Sequence, residues 1–152
     1  MDARNENTWQ VGFLPSLSSD AQERLLSLAE TFQHGEDEVI FHQNDPSLNL
    51  YIVKSGVVAI EIYRPARGFC RMLELGPGEL FSWSALIEPR RETATARALE
   101  NTCVFGIAGG KLIDHCLKDP AFGYEIYKGL ANVISTRLKA TRREVLEMRA
   151  AS

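Results

Sequence analysis

Apolar and polar positions change their spacing three times along the chain. The stretch LSSDAQERLLSLAETF has a helical period, with Leu25, Leu26 and Leu28 on an apolar stripe. Ser19 followed by Gln22 is a capping-box start, so a helix is predicted over residues 17–32. The period then drops to two. EVIFH (Glu38 to His42), LYIVK (Leu50 to Lys54), VVAIEIY (Val57 to Tyr63), CRMLEL (Cys70 to Leu75), TATARA (Thr93 to Ala98) and TCVFGIA (Thr102 to Ala108) are predicted strands. In the third, Val58, Ile60 and Ile62 are expected on one face, opposite Ala59, Glu61 and Tyr63. Turn signals at Gly35, Asn44-Asp45-Pro46, Ser55-Gly56, Gly76-Pro77-Gly78 and Glu100-Asn101 separate these runs. Short strands at this spacing predict an antiparallel β jelly roll or barrel.

From Lys111 the helical period returns. KLIDHCLK is a brief helix halted at Asp119-Pro120, and a proline-free stretch then runs from Ala121 to about Ala150. Thirty helical residues make a rod of about 45 Å, longer than a barrel of this size can cover. Phe122, Ile126 and Leu130 suit packing against the barrel. Ile134, Leu138, Thr141, Val145 and Met148 recur at steps of 4, 3, 4 and 3, the spacing of a coiled-coil seam. They are the predicted dimer interface. One domain is therefore expected: residues 1–120 form an N-terminal helix and barrel, and residues 121–152 a dimerisation helix.

Composition narrows the classes. A chain of 152 residues with 45% apolar and 24% charged content is an average globular domain with enough length for a core. A net charge of −3 argues against coating nucleic acid. Residues 121–152 carry six Lys/Arg against three Glu, so the last helix is +3 and the rest −6. Cations toward a helix C-terminus answer its dipole, which is the plainer reading of that tail. No apolar run is long enough to span a membrane. The polar start MDARNENTWQ lacks the core of a secretory signal, and three unpaired-spacing cysteines (Cys70, Cys103, Cys116) suit a reducing compartment. A cytoplasmic location is expected.

Candidate chemistry concentrates in GELFSWSALIEPRRETATARA, Gly78 to Ala98. Small polar residues beside a short helical turn can cradle an anion, because the first amides of a helix lack intrahelical partners. Together with FQHGEDEVIFHQNDPSLNLYIVKSGVVAI and LGPGELF, this stretch resembles the cyclic nucleotide-binding domain, the sensor half of catabolite activator protein-like regulators, over roughly residues 13–150. The resemblance implies a jelly roll, a phosphate-binding cassette and a non-enzymatic sensing role. Glycines at 35 and 56 match turn positions of that family, and Asn44 stands where a glycine is usual. In the cassette Phe81, Ala85, Leu86, Thr93 and Ala94 match. Ser82 replaces a glycine, and Trp83 replaces the glutamate that would meet the ribose. Glu92 falls where the phosphate-pairing arginine belongs, with Arg90 and Arg91 just before it.

The implied ligand-binding set is therefore Leu80, Phe81, Ser82, Trp83, Ser84, Ala85, Arg90, Arg91, Thr93 and Ala94. The ligand is a cyclic nucleotide or another small anion, and Trp83 either stacks on it or fills the pocket. Arg91 faces inward only if a bulge intervenes, and the two serines are expected to cap the cassette turn. If the pocket has no ligand, the chain is a dimerisation or partner-docking module. Other chemistries find no footing. His34, His42 and His115 with the cysteines match no zinc spacing, and no nucleophile elbow or metalloprotease helix occurs, so neither a metal nor a catalytic residue is expected. Transcriptional relatives place a helix-turn-helix after the long helix, and no room for one remains before Ser152, so no nucleic-acid partner is expected for this chain.

Overall fold

The structure is a computed structural model that describes residues 12–151. The polar N-terminal decapeptide lies outside the described residues. Eight strands form two four-stranded sheets, with every pairing antiparallel. One sheet orders β1 (Glu30–His34), β8 (Thr102–Ala108), β3 (Asn49–Ser55) and β6 (Leu80–Phe81). The other orders β2 (Val39–Phe41), β7 (Thr95–Ala98), β4 (Val58–Arg64) and β5 (Gly68–Leu75). Helix α1 (Ser19–Ser27) precedes the sheets, and α2 (Gly109–Lys118) and α3 (Pro120–Ala151) follow them. The predicted jelly roll and long C-terminal helix are both present.

Two local expectations need correction. The first helix is shorter than its apolar stripe suggested: it ends at Ser27, and residues 30–32 open β1 instead. Tertiary pairing wins there, because Thr31 and Phe32 suit a strand and lie opposite Phe105 and Val104 of β8. The cap is Ser18, one residue earlier than expected. Its hydroxyl accepts from the Ala21 amide at 3.2 Å and donates to Glu125 at 3.0 Å, which also pins α1 to α3. In β4 the expected alternation holds for Val58 and Ile60, which both pack into the core between the sheets. Ala59 and Glu61, on the opposite face, are buried as well, and the register shift against β5 passes over Met72 of that strand while the pairing of β4 with β7 stays regular. Glu61 answers its burial with Arg97, at 3.0 Å.

Turn geometry follows the sequence in most places. Asn44 adopts the left-handed conformation at φ 75° and Gly56 at φ 92°. A side chain at position 56 would also press on the Asn101 carbonyl at 2.7 Å. Gly35 is not left-handed; Asp37, at φ 67°, takes that role in its turn.

The core has two parts. Val53, Val58, Leu75, Phe81, Ala96 and Val104 fill the space between the sheets. Leu25, Leu50, Ile107, Leu112, Ile126 and Leu130 join one sheet to the helices. The first half of α3 thus lies on the barrel as expected, with Phe122, Ile126 and Leu130 buried. Ile134 packs partly against this core, whereas Leu138, Val145 and Met148 are 47%, 42% and 72% exposed. A bridge from Arg24 ties the three helices. Its guanidinium meets Asp119 at 2.7 Å, donates to His115 Nδ1 at 3.1 Å and lies 4.3 Å from the Phe122 ring centre. Helix α3 is therefore anchored at its start and free of the barrel at its end.

Truncating the anchored half should be costly. Ile126→Ala is expected to lower unfolding free energy by about 2–5 kcal/mol, whereas Leu117→Ala, at an exposed site, should change it by less than about 0.5 kcal/mol. Urea melts of the two variants check this, and equal losses would contradict the assigned docking face.

Candidate cassette and the buried glutamate

The segment after β5 turns at Gly76-Pro77-Gly78, runs through β6 and enters a four-residue 3-10 turn, Trp83–Leu86. Ser82 sits at the head of that turn with φ 63° and ψ 39°. This is the left-handed region in which glycine is usual, and a residue with a Cβ is strained there by about 1–3 kcal/mol. The sequence expectation that the serines cap this turn is not met. The Ser82 side chain accepts no bond from the turn's amides. Its hydroxyl points instead at Glu92.

Glu92 is 5% exposed, and its carboxylate accepts from the Ser82 hydroxyl and from Ser47 Oγ at 2.7 Å. The two serine oxygens are themselves 3.1 Å apart. The backbone fixes this inward direction. Glu92 donates its amide to the Asp45 carbonyl and accepts from the Asn44 amide, both at 2.8 Å, so the turn at Asn44-Asp45 holds position 92 in register. Three O···O contacts share only two hydroxyl protons, and a proton on Glu92 would complete the ring. Burial raises the carboxyl above its ordinary value of 4.5, the hydroxyls of Ser82 and Ser47 oppose that rise, and the charge of Asp45 adds to it.

Over this network lies the second unusual feature. Arg137 of α3 sits 5.0 Å above the ring of half-buried Trp83 and donates to the Leu80 carbonyl. Burial lowers its pKa to about 10, with Glu79 acting in the opposite sense, so it stays a cation at neutral pH. A second tie joins the helix to the cassette: Tyr127 Oη donates to the Leu86 carbonyl at 3.1 Å. The space left is small. Phe41, Phe81, Ser82, Trp83, Glu92 and Arg137 are among the walls of a cavity of about 90 Å³, below the roughly 300–1,000 Å³ of ordinary ligand sites.

Of the residues expected to hold ligand, Phe81, Ser82, Trp83, Ser84, Thr93 and Ala94 line this cavity. Ala85 is buried behind it, and Leu80 contributes its carbonyl to Arg137. The two arginines are elsewhere. Arg90 donates to the Ala85 carbonyl at 2.9 Å, and Arg91 is exposed and donates to the Asn44 carbonyl at 2.9 Å. Both face away because residues 90–91 form the loop that closes on Pro46 and Ser47, and loop direction is not legible from strand alternation. Sequence reasoning missed Ser47 and Arg137. Ser47 carried no signal, lying 45 residues from Glu92. Arg137 did carry one: it continues the docked stripe of Leu130, Val133 and Ile134 at helical spacing, where a charge is out of place.

Two sheets, a cassette turn and a helix crossing it define the class, and the comparisons agree. The sequence profile of the cyclic nucleotide-binding domain matches residues 31–119. The chain belongs to the cyclic nucleotide-binding domain family. A Rhodopseudomonas palustris protein named, by inference, as a potassium channel protein is 26% identical over 102 residues, which are 67% of this chain. The chain spans only 24% of that relative's length. Among solved structures, a cyclic nucleotide-binding domain from Methylobacillus flagellatus superposes with a TM-score of 0.79 at 17% identity, covering 87% of this chain and 74% of that one. The catabolite activator protein of Thermus thermophilus gives 0.71 at 24% identity, over 88% and 61% of the respective chains. These structures share the fold.

The raised value for Glu92 has a definite pH signature. The folded state keeps its proton to higher pH than the unfolded chain does. The network's contribution is therefore whole below the ordinary carboxylate value and is lost as pH rises through the raised one. Glu92→Gln has no such proton to lose. Its stability relative to the parent should improve between acid and neutral pH in paired urea melts, and a difference independent of pH would contradict the assignment.

Proposed function

We propose that this chain is a non-enzymatic regulatory domain whose cassette is closed to cyclic nucleotides by its own side chains, and which pairs through the distal half of α3. The observation that carries the reading is Glu92, a buried acid where the family's pattern calls for a phosphate-pairing cation. A phosphodiester entering there would bring a second negative charge, or force a proton onto Glu92, in a site with little solvent to screen either. Trp83 and Arg137 occupy the space above it, and Ser82 spends its hydroxyl on Glu92 rather than on a ligand. Titration calorimetry with cyclic AMP and cyclic GMP tests the reading. Neither should give a binding signal at about 100 μM, some hundredfold above a micromolar dissociation constant. Micromolar binding of either would contradict it.

Pairing rests on the wet apolar residues beyond the barrel. Leu138, Val145 and Met148 share a face with Ile134 and Thr141 and are largely exposed. Each such side chain contributes about 1.5–3 kcal/mol when fully buried, before ordering costs, so a symmetric pair of helices can sustain association. The residues at 121–152 would then act as a dimerisation helix of the same domain, and a change in how α3 grips the cassette would reach the partner. Leu138→Glu should give a folded monomer by light scattering where the parent is a dimer. A monomeric parent, or a dimer indifferent to this change, would give the helix another role.

A further inference from the structure

A second and larger hollow lies on the outer side of Arg137. It has a volume of about 430 Å³ and runs between the Phe13–Ser16 segment, the Gly78–Leu80 turn and the middle of α3. That size falls in the ordinary range for small-molecule sites. Phe13, Leu80 and Val133 give it apolar walls, and Gly78 and Gly129 keep it open. Gly129 also has a packing reason, since a Cβ there would meet the Phe13 ring at 3.0 Å. The hollow shares one residue of consequence with the cassette cavity, Arg137.

The charge of Arg137 is poorly answered. Its guanidinium has five N–H donors, and among the described residues it meets one carbonyl and one aromatic face; the charge of Glu79 acts on it too, but no ion pair within 4 Å joins them. Glu79 also borders the hollow, but its carboxylate accepts the Gly76 amide at 2.6 Å, a bond internal to the turn. Asn132 and Thr136 are the remaining polar residues from α3, and the Thr136 hydroxyl is turned back onto the Asn132 carbonyl. An apolar trough ending at a guanidinium with spare N–H donors complements an amphiphile with one anionic end, and a planar carboxylate meets guanidinium in two parallel hydrogen bonds.

The geometry points to a binding site for a free, single-chain carboxylate amphiphile in this hollow, its carboxylate on Arg137 and its apolar body along Phe13, Leu80 and Val133. The site adjoins the cassette cavity and shares Arg137 with it, but its apolar walls are its own. Occupancy would draw Arg137 away from Trp83 and the Leu80 carbonyl, so the ligand would act on the contact that ties α3 to the cassette.

The test is calorimetric titration of the full chain with decanoate, and with decanol as the same body without the charge. Decanoate should bind at least about tenfold more tightly than decanol, the value of one good charge-assisted contact. Arg137→Gln should abolish that preference, and Asn132→Trp, which fills the hollow from an exposed helix position, should abolish binding while Arg137 remains. Absence of decanoate binding, equal affinity for both probes, or unchanged binding by Asn132→Trp would overturn the proposal. So would sedimentation with vesicles of anionic phospholipid without any binding of free decanoate, which would assign the arginine to a membrane headgroup.

Discussion

A carboxylate taken out of water must find an opposite charge, enough hydrogen-bond donors, or a proton. Glu92 has two serine hydroxyls and, among the described residues, no cation within ion-pair distance, and the backbone of the Asn44-Asp45 turn fixes it facing inward. The rest of the cassette follows from that. Ser82 holds a left-handed backbone conformation that glycine would adopt without strain, and the hydroxyl that only serine brings is the one Glu92 uses. Ser47, just past the Asn44-Asp45 turn, closes the ring.

Helix α3 completes the closure from above. Its first half is held by buried apolar side chains and by the Arg24 bridge, so it cannot lift without exposing core. The two polar ties, from Tyr127 and Arg137 to carbonyls of Leu86 and Leu80, reach the cassette at either end of its short turn. In the proposed function, a change in the cassette would reach α3 through these two ties, and the far end of α3 carries the exposed apolar face.

Much of this could be read from the chain, and the exceptions have physical reasons. The strand β8 and the long helix were legible because their patterns are long and self-consistent, from Thr102 to Ala108 and from Pro120 onward. Strand β1 was hidden behind a helical stripe, since Glu30 to Phe32 take their conformation from partners 72 to 76 residues away, Val104 to Gly106. Strand β6 is two residues long and has no period at all. At the site, counting set Glu92 in the place of the family's arginine, and the structure buries that residue, but its contact with Ser47 depends on loop packing. Arg90 and Arg91 looked like the natural cations because they are near in sequence. The cation that faces the cassette comes from α3, 46 positions beyond Arg91, where only its place on an apolar stripe betrayed it.

The central claim is that three side chains, Ser82, Trp83 and Glu92, separate this cassette from one that takes a cyclic nucleotide. The direct measurement is calorimetric titration of the Ser82→Gly, Trp83→Glu, Glu92→Arg triple variant with cyclic AMP. The account predicts that the triple variant gains micromolar affinity, a change of at least about 4 kcal/mol from a parent whose dissociation constant exceeds a millimolar. A folded triple variant that still ignores the nucleotide, or a parent that binds it equally well, would contradict the account.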